Sequence, residues 1–241
     1  MTEREMSKGD RFSRYSRQIF IEEIGLDGQK KIMNSKVLVI GAGGLGSPVI
    51  QYLAAAGVGI LGVVDFDAVE LHNLNRQVIH NERSVGIFKV ESAEQFVKNL
   101  NHQVNFTGYR LKIDDTNAEQ IISDYDIIVD GSDNFKTRYL INDACIKLGK
   151  PLVYGSILGF SGQVAVFNVQ GSQNLRDIFP EPPSEDEVPD CDSLGVLGAL
   201  PGIVGSMMAN LVLKIVTDLP VPVNKLTLIN TFNWTFQTVD F

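Results

Sequence analysis

The stretch VLVIGAGGLGS (residues 37–47) joins a short apolar run to a glycine-rich turn. A continuous run such as VLVI is typical of a strand that is buried on both faces of a sheet. The turn contains Gly41-x-Gly43-x-x-Gly46, a spacing with which a strand passes tightly into a helix whose first N–H groups bind phosphate. Gly44 adds a fourth glycine inside this pattern. The stretch therefore predicts a phosphate-binding turn, but alone it does not distinguish NAD from other ligands.

Apolar runs and amphipathic segments alternate along the first two thirds of the chain. The predicted strands cover residues 37–40, 61–67, 104–113, 125–133 and 151–156. The predicted helices between them cover residues 47–57, 89–101, 117–124 and 134–150. In the first helix we expect Ser47 as the N-cap, Pro48 as the first helical residue and Gly57 as the terminating residue. This alternation implies a parallel, doubly wound sheet that binds ligands at the carboxyl ends of its strands.

The pattern changes after Gly159. Residues 162–169 predict a strand of a different, antiparallel kind, and residues 170–195 form a long loop with seven acidic side chains and four prolines. A helix over 202–217 and two closing strands, at 225–231 and 235–241, complete the prediction.

The expected fold class is α/β, a Rossmann-like, doubly wound, mostly parallel sheet extended by antiparallel C-terminal strands. We take residues 1–241 as a single domain. Within it, residues 15–159 form the nucleotide-binding half, and residues 160–241 form the crossover loop, a helix and the closing strands.

The composition argues against several classes of protein. Lys and Arg number 21 and Asp and Glu number 29, which gives a net charge of −8 and disfavours a nucleic-acid partner. Two cysteines provide no disulfide framework, and the first residues carry no apolar run, so we expect a cytoplasmic protein. The longest apolar stretch, 196–217, is interrupted by Pro201, Asn210 and Lys214. We expect a buried helix there and no membrane span.

Charged and amide residues after the second predicted strand indicate which nucleotide is bound. Asp65 lies 19 residues after Gly46, where dinucleotide-binding folds place an acidic residue on the ribose. Asn73, an amide, and the two cations Arg76 and Lys89 follow, and together they are more than a pyrophosphate needs. This excess favours a triphosphate, although solvated surface cations would produce the same pattern.

Asp133 is the second discriminating residue. It stands in GSDN (131–134), at the carboxyl end of a predicted buried strand, where a bare carboxylate would repel phosphate. Magnesium resolves this conflict, because it binds one or two carboxylates together with substrate phosphates. In the other interpretation, Asp133 or Asn134 simply caps the following helix.

Five separated motifs carry a family resemblance. They are RYSRQ (14–18), GAGGLGS (41–47), DFDAVELHNLNRQ (65–77), VGIFKVES (85–92) and DGSDNFKTR (130–138). In this order they closely resemble the ThiF/MoeB/HesA adenylyltransferases, the bacterial relatives of ubiquitin-activating enzymes. The resemblance extends from about Tyr15 to about Phe236.

The resemblance implies ATP- and magnesium-dependent adenylation of the C-terminal glycine carboxylate of a small ubiquitin-like sulfur-carrier protein, for thiamine, molybdopterin or related sulfur transfer. The implied nucleotide-binding residues are Gly41, Gly43, Gly44 and Gly46 of the turn, Asp65 for ribose, Asn73, Arg76 and Lys89 for phosphate, Asp133 for magnesium, and Asn134 beside the nucleotide. The family forms homodimers, in which Arg17 would reach into the partner's ATP site.

The chain departs from the family pattern at its cysteines. Most members hold a structural zinc with two CxxC pairs, but Asn174 and Asp177 stand at the first pair and no second pair follows. We therefore expect no zinc. Cys191 lies where some members form a covalent link to the carrier, although Asp190 and Asp192 disfavour its thiolate. No rhodanese-like extension is present in the sequence, so a separate protein would donate the sulfur.

Two other functions remain open at this point. A nicotinamide-dependent oxidoreductase would use the same glycine turn but would leave Arg17, Arg76, Lys89 and Asp133 unexplained. A nucleotide-binding scaffold without turnover would have the same motifs and bind nucleotide, but it would catalyse no reaction.

Overall fold

The structure is a computed structural model that describes residues 10–183 and 195–241, organised around a sheet of eight strands. The strands are β1 (Lys36–Ile40), β2 (Ile60–Val64), β3 (Asn105–Tyr109), β4 (Ile127–Asp130), β5 (Leu152–Leu158), β6 (Ser161–Phe167), β7 (Lys225–Asn230) and β8 (Thr235–Asp240). Their order in the sheet is β3-β2-β1-β4-β5-β6-β7-β8. The first five strands in this order pair in parallel, and β5 to β8 pair antiparallel. The predicted parallel sheet with an antiparallel extension is confirmed.

Helices cover both faces of the parallel part of the sheet. They are α1 (Asp10–Ser13), α2 (Ser16–Ile19), α3 (Gly25–Asn34), α4 (Gly46–Ala56), α5 (Lys89–Leu100), α6 (Ala118–Ser123), α7 (Phe135–Leu148), α8 (Leu175–Ile178) and α9 (Ala199–Val216). The sequence patterns predict α4 to α7 and α9, but not α1 to α3 or α8. The sequence of α3, GLDGQKKIMN, contains two glycines and buries Ile32 as its one large apolar side chain, so it has no continuous apolar stripe.

The central strands are buried on both faces, which explains their continuous apolar sequences. In β1, Val37 and Val39 pack into one cluster with α4, α5 and α9. Leu38 and Ile40 point to the other face and pack with α6 and α7. Side chains of alternating direction therefore anchor one strand in two cores, as a doubly wound sheet requires.

The glycine turn connects the end of β1 directly to the start of α4. Gly41 has a φ of +97°, and a Cβ on Gly46 would collide with the Gly41 carbonyl oxygen. The expectation that Ser47 caps the helix is wrong, because Ser47 N–H already bonds to the Gly43 carbonyl at 2.9 Å, inside the first helical turn. The helix begins at Gly46 without a side-chain cap, so Pro48 is its third residue. Gly57 ends it with a φ of +85°, as predicted.

Helix α9 is the one described helix that is long and apolar enough to span a membrane. In the fold it packs against α4, β5 and β6, and Leu200, Val204 and Met208 are fully buried there. It begins three residues earlier than predicted, because Pro201 is tolerated within a first helical turn. Its contacts make it a core helix of this fold, which is what the interrupted apolar sequence predicts.

Polar contacts hold α8 at the position where the family resemblance implies a first cysteine pair. Asn174 and Asp177 form a capping box around the helix, and the Asn174 backbone N–H donates to the Asp177 carboxylate at 2.8 Å. Arg176 donates two hydrogen bonds of 2.8 Å to Asp143 on α7. This bidentate pair lowers the pKa of Asp143. The side chains at this position thus fix the turn by hydrogen bonding.

The tight passage from β1 to α4 predicts a difference between two glycine variants. We expect Gly46→Ala to destabilise the fold by about 1–3 kcal/mol, because its Cβ would strike backbone that cannot move aside. Gly43→Ala is the matched control, since the nearest heavy atom to its Cβ would be 3.7 Å away. Urea unfolding of both variants measures the effect. Equal free energies of unfolding would contradict the role assigned to the Gly46 contact.

Candidate active site

A cavity of about 250 Å³ lies at the carboxyl ends of the parallel strands. It is open to solvent, so a larger ligand can extend out of it. Of the residues expected at a nucleotide, those that line it are Gly41, Gly43, Gly44, Asp65, Arg76, Lys89, Asp133 and Asn134. The fold therefore brings together residues that are separated by up to 93 positions in the sequence.

The glycine turn forms one wall of this cavity, and hydrogen bonds hold its second residue, Ala42, from two sides. The Ala42 N–H donates to Asp65 Oδ2 at 2.8 Å, and the Ala42 carbonyl oxygen lies 3.0 Å from His80 Nε2. A Cβ on Gly44 would lie 3.4 Å from the Pro201 side chain of α9. The turn is thus packed between the loop that carries His80 and the first turn of α9.

Asp65 follows β2 directly and is buried. Its Oδ2 accepts from Ala42 N–H and its Oδ1 accepts from Asp67 N–H, both at 2.8 Å. Burial raises the pKa of Asp65, and the nearby Lys89 ammonium and the two N–H groups oppose that rise. Each carboxylate oxygen keeps acceptor capacity beyond its one N–H partner. The side chain can therefore fix the turn and still accept from a ligand hydroxyl.

Lys89 is the first residue of α5, and its side chain is buried beside two carboxylates. Its Nζ donates to Asp67 Oδ2 at 2.8 Å, and its backbone N–H donates to the Asp67 carbonyl oxygen at the same distance. The charge of this ammonium also acts to lower the pKa of Asp65. The burial of this ammonium is thus compensated by anionic partners, as a buried charge requires.

Arg76 and Asn73 lie in the loop after β2 and differ in their contacts. Arg76 lines the cavity, and its Nη1 donates to the His72 carbonyl oxygen at 3.0 Å and to Asn75 Oδ1 at 3.1 Å. Asn73 is buried and is not among the residues that line the cavity in the described structure. Its Oδ1 accepts from Glu70 N–H at 3.0 Å and closes the 3₁₀ turn Leu71–Asn73. Asn73 therefore shapes the loop that presents Arg76.

Asp133 and Asn134 lie between β4 and α7. Both line the cavity, and Asp133 is exposed. Asn134 Oδ1 accepts from Thr137 N–H at 2.9 Å, so Asn134 caps α7, which is the simpler of its two interpretations. Capping occupies its amide oxygen. The exposed Asp133 carboxylate remains available to a cation at the cavity mouth.

Asp130 lies below this loop as the last residue of β4 and is fully buried. Its Oδ1 accepts from the Ser132 N–H at 2.9 Å and the Ser132 hydroxyl at 2.6 Å. Burial raises the pKa of Asp130, and the nearby charge of Arg138 opposes this effect. Arg138 is itself buried and donates to Tyr154 Oη and to the Ser132 carbonyl oxygen, each at 3.0 Å. This network sets the shape of the loop that carries Asp133.

Two other described residues that we expected at the site lie elsewhere. Gly46 does not line the cavity but brings α4 against β1. Arg17 is exposed on α2 and is likewise not among the cavity-lining residues of its own chain. Cys191 lies outside the described residues.

The structure adds residues that sequence reasoning missed. Asp67, Gln77, Lys112, Ser132 and Arg138 also line the cavity. Asp67 stands two positions after Asp65, in the motif DFD, so its spacing alone places it on the same strand end. Arg138 is the last residue of the motif DGSDNFKTR (130–138), but its burial under the loop depends on long-range packing that the sequence does not reveal.

His80 is a further buried polar residue beneath the turn. Its Nδ1 lies 2.8 Å from Ser92 Oγ on α5 and its Nε2 lies 3.0 Å from the Ala42 carbonyl oxygen. Burial is the main reason that the pKa of His80 falls from 6.5 to about 4, and the charge of Lys89 lowers it further. The imidazole is therefore neutral at physiological pH.

The fold and the cavity define a Rossmann-like α/β protein with a cavity at the carboxyl ends of its parallel strands. The chain belongs to the ThiF family, which it matches over residues 15–241. It is 48% identical over 204 residues to the adenylyltransferase and sulfurtransferase MOCS3 of Aedes aegypti, a match that covers 85% of this chain and 47% of the relative. It is 45% identical to the SAMP-activating enzyme E1 of Haloferax volcanii, covering 95% of this chain and 84% of that protein.

A solved structure with a similar fold is that of E. coli MccB. It superposes with a TM-score of 0.84 at 20% identity, over 97% of this chain and 71% of that one. The first-named relative is about twice as long as the matched region, since this chain spans 47% of it. Adenylyl transfer uses ATP, so the names of the relatives imply ATP use within this family.

The buried, neutral His80 predicts a pH-dependent contribution to stability. Well above pH 6.5 the imidazole is neutral in both the folded and the unfolded state. As the pH falls from 6.5 to about 4, only the unfolded chain gains the proton, so folding stability is lost. The full loss amounts to about 3 kcal/mol at most. His80→Gln cannot take up this proton.

Urea unfolding at several pH values between 7.5 and 4 isolates this contribution. Carboxyl groups titrate in both proteins, so the quantity of interest is the difference between the wild type and His80→Gln. We expect the stability of the wild type to fall more steeply. Parallel curves would mean that His80 has an ordinary pKa in the folded protein.

Proposed function

We propose that the protein catalyses ATP-dependent adenylation of the C-terminal glycine carboxylate of a small ubiquitin-like sulfur-carrier protein. One observation carries the proposal: a single cavity combines the glycine turn with Arg76, Lys89 and Asp133. The name of the Aedes aegypti relative includes adenylyl transfer and that of the Haloferax volcanii relative is an E1 activating enzyme, which supports the same chemistry. The cytoplasm, which reduces cysteines, is the expected compartment.

In this proposal the phosphates of ATP lie against the glycine turn and the start of α4, where N–H groups and the helix dipole favour anions. Asp65 accepts hydrogen bonds from the ribose hydroxyls with the acceptor capacity that its backbone contacts leave over. Lys89 has three donor hydrogens, so it can keep its bond to Asp67 and still reach phosphate. Arg76 supplies a second cation at the cavity wall, and Asn73 holds the loop that presents it.

Asp133 fits a magnesium ligand in the proposed complex. Its carboxylate is exposed at the cavity, and one oxygen lies 3.3 Å from the Asn134 amide nitrogen. The described residues contain no cluster of three or more His, Cys, Asp or Glu side chains that could hold a metal alone. Magnesium does not require one, since substrate phosphates complete its coordination. When bound, the ion neutralises phosphate charge and so favours the approach of an anionic nucleophile.

The proposed reaction needs no general base. The terminal carboxylate of the carrier is ionised at neutral pH and attacks the α-phosphorus of ATP. A bond forms between the carboxylate oxygen and the α-phosphorus, and the bond to the bridging oxygen breaks as pyrophosphate leaves with the electron pair. No proton moves in this step. Positioning and cationic stabilisation by Arg76, Lys89 and the partner's Arg17 are then the means of catalysis.

A second cavity of about 790 Å³ offers a path for the carrier's tail. It shares Arg138 and Ile157 with the first cavity. Apolar side chains such as Phe135, Leu158 and Phe179 line it, which suits an extended peptide with small residues. A tail that lay there would bring its terminal carboxylate to the nucleotide cavity.

The proposal includes a homodimer in which Arg17 acts in trans. Packing of the preceding residue, Tyr15, holds the start of α2, the helix that carries Arg17. Tyr15 is buried, and its ring occupies the space beside Gly57. The Tyr15 hydroxyl accepts from Asn101 Nδ2 at 2.9 Å. Arg17 itself is exposed and so is available to a second subunit. Cys191 would be the residue that links covalently to the carrier.

Carrier-dependent exchange of labelled pyrophosphate into ATP tests the reaction. We expect exchange only when a carrier that ends in Gly-Gly is present, and no exchange with the same carrier lacking its last glycine. ATP binding without exchange, with every carrier tried, would favour the scaffold. Specific binding of NADH would favour the oxidoreductase.

Mixing two inactive variants tests the role of Arg17 in trans. Arg17→Ala and Asp133→Asn each remove one component of a site that is shared between subunits. Half of the random dimers are mixed, and each mixed dimer has one complete site, so about a quarter of the wild-type exchange rate should return. Each variant alone, at the same total protein concentration as the mixture, is the control. No recovery after subunit exchange would place Arg17 outside the partner's site.

A further inference from the structure

We infer that His80 is a positioning residue for the nucleotide, because it fixes the direction in which the Gly43 N–H group points into the phosphate cradle. This inference rests on the proposed function, since it concerns the same glycine turn. Among the described residues, the hydrogen bond that joins His80 to the turn runs to the Ala42 carbonyl oxygen, 3.0 Å from Nε2.

The effect on Gly43 follows from peptide geometry. The Ala42 carbonyl and the Gly43 N–H belong to one planar peptide unit, and the described chain contains no cis peptide bond. In a trans unit the two groups point in opposite directions. A hydrogen bond that holds the carbonyl on His80 therefore directs the N–H away from His80. Gly43 lines the cavity, and no hydrogen bond within the described residues uses its N–H.

The hydrogen bond from His80 is needed because the neighbouring residues fix only one of the two peptide units that flank the Ala42 Cα. The Asp65 carboxylate holds the Ala42 N–H, which fixes the peptide unit on the N-terminal side of Ala42. The unit on the other side ends at glycine, which tolerates a much wider range of backbone angles than any other residue. Without a bond to its carbonyl, this second unit is free to rotate, and its N–H loses a fixed direction. His80 supplies that bond.

The contacts of His80 also select one tautomer. Ser92 Oγ lies 2.8 Å from Nδ1, and a donating hydroxyl there leaves the ring proton on Nε2, where it is donated to the Ala42 carbonyl. Burial lowers the pKa of His80 to about 4, so the ring stays in this neutral form. Ser92 lies one turn after Lys89 in α5. The chain of bonds thus keeps two phosphate-binding elements, the turn and the start of α5, in a fixed relation.

Two amide substitutions separate positioning from simple packing. In His80→Gln the side-chain amide reaches the place of Nε2 and can donate to the Ala42 carbonyl. In His80→Asn the shorter amide reaches only the place of Nδ1, beside Ser92. We expect His80→Asn to lose about ten-fold in affinity for ATP with magnesium, because one directed hydrogen bond is lost. His80→Gln should stay within about three-fold of the wild type.

Calorimetric titration with ATP and magnesium measures the affinities, and urea unfolding confirms that both variants are folded. His102→Gln, at an exposed histidine, is the matched control and should bind as the wild type does. Equal losses in the two His80 variants, or no loss in either, would overturn the positioning role.

The amide resonance of Gly43 in the ligand-free protein gives a second measurement that does not depend on ATP. We expect it to shift in His80→Asn and to stay near its wild-type position in His80→Gln. The same shift in both variants would overturn the inference even if ATP binds. A wild-type protein that fails to bind ATP would refute the proposed function instead, so the two failures are distinguishable.

Discussion

The close approach of α4 to the end of β1 is the constraint on which the site depends. A side chain on Gly46 would strike the Gly41 carbonyl oxygen, and a Cβ on Gly41 would come within 2.7 Å of the Gly131 carbonyl oxygen. Two missing side chains therefore allow the turn to lie against both the start of α4 and the end of β4. Because β4 leads directly into Asp133, the same contact brings the glycine turn and this carboxylate to one cavity.

Charge in the site is organised differently from charge in the whole chain. The net charge is −8, yet Arg76, Lys89, Lys112 and Arg138 all line one cavity. The buried cations have anionic or polar partners, as in the contact of Lys89 with Asp67. These four cations outnumber the carboxylates of Asp65, Asp67 and Asp133 in the same cavity, so a polyanion is favoured there although the chain as a whole is acidic.

Local sequence patterns predicted the fold but not the contacts that complete the site. The sheet was predicted correctly, because strands buried on both faces produce continuous apolar runs and glycine has specific uses in turns. The family was predicted from the resemblance of five motifs. Helices α2 and α3 were missed since they bury few apolar side chains. The cap at Ser47 was wrong because the hydrogen bonding of the helix begins at Gly43. The bond of His80 to Ala42 joins residues 38 positions apart, and local patterns carry no information about such pairs.

The packing of α9 has a consequence for how the chain can be divided. Gly205 of α9 leaves room for Pro48 and the Leu45 carbonyl oxygen of the glycine-turn region, and β6 covers the edge of β5. A fragment ended near Gly159 would lose both covers. It would expose an apolar helix face and an unpaired strand edge, features that promote association with other chains. Because residues of both halves pack into one hydrophobic cluster, we expect neither half to fold alone.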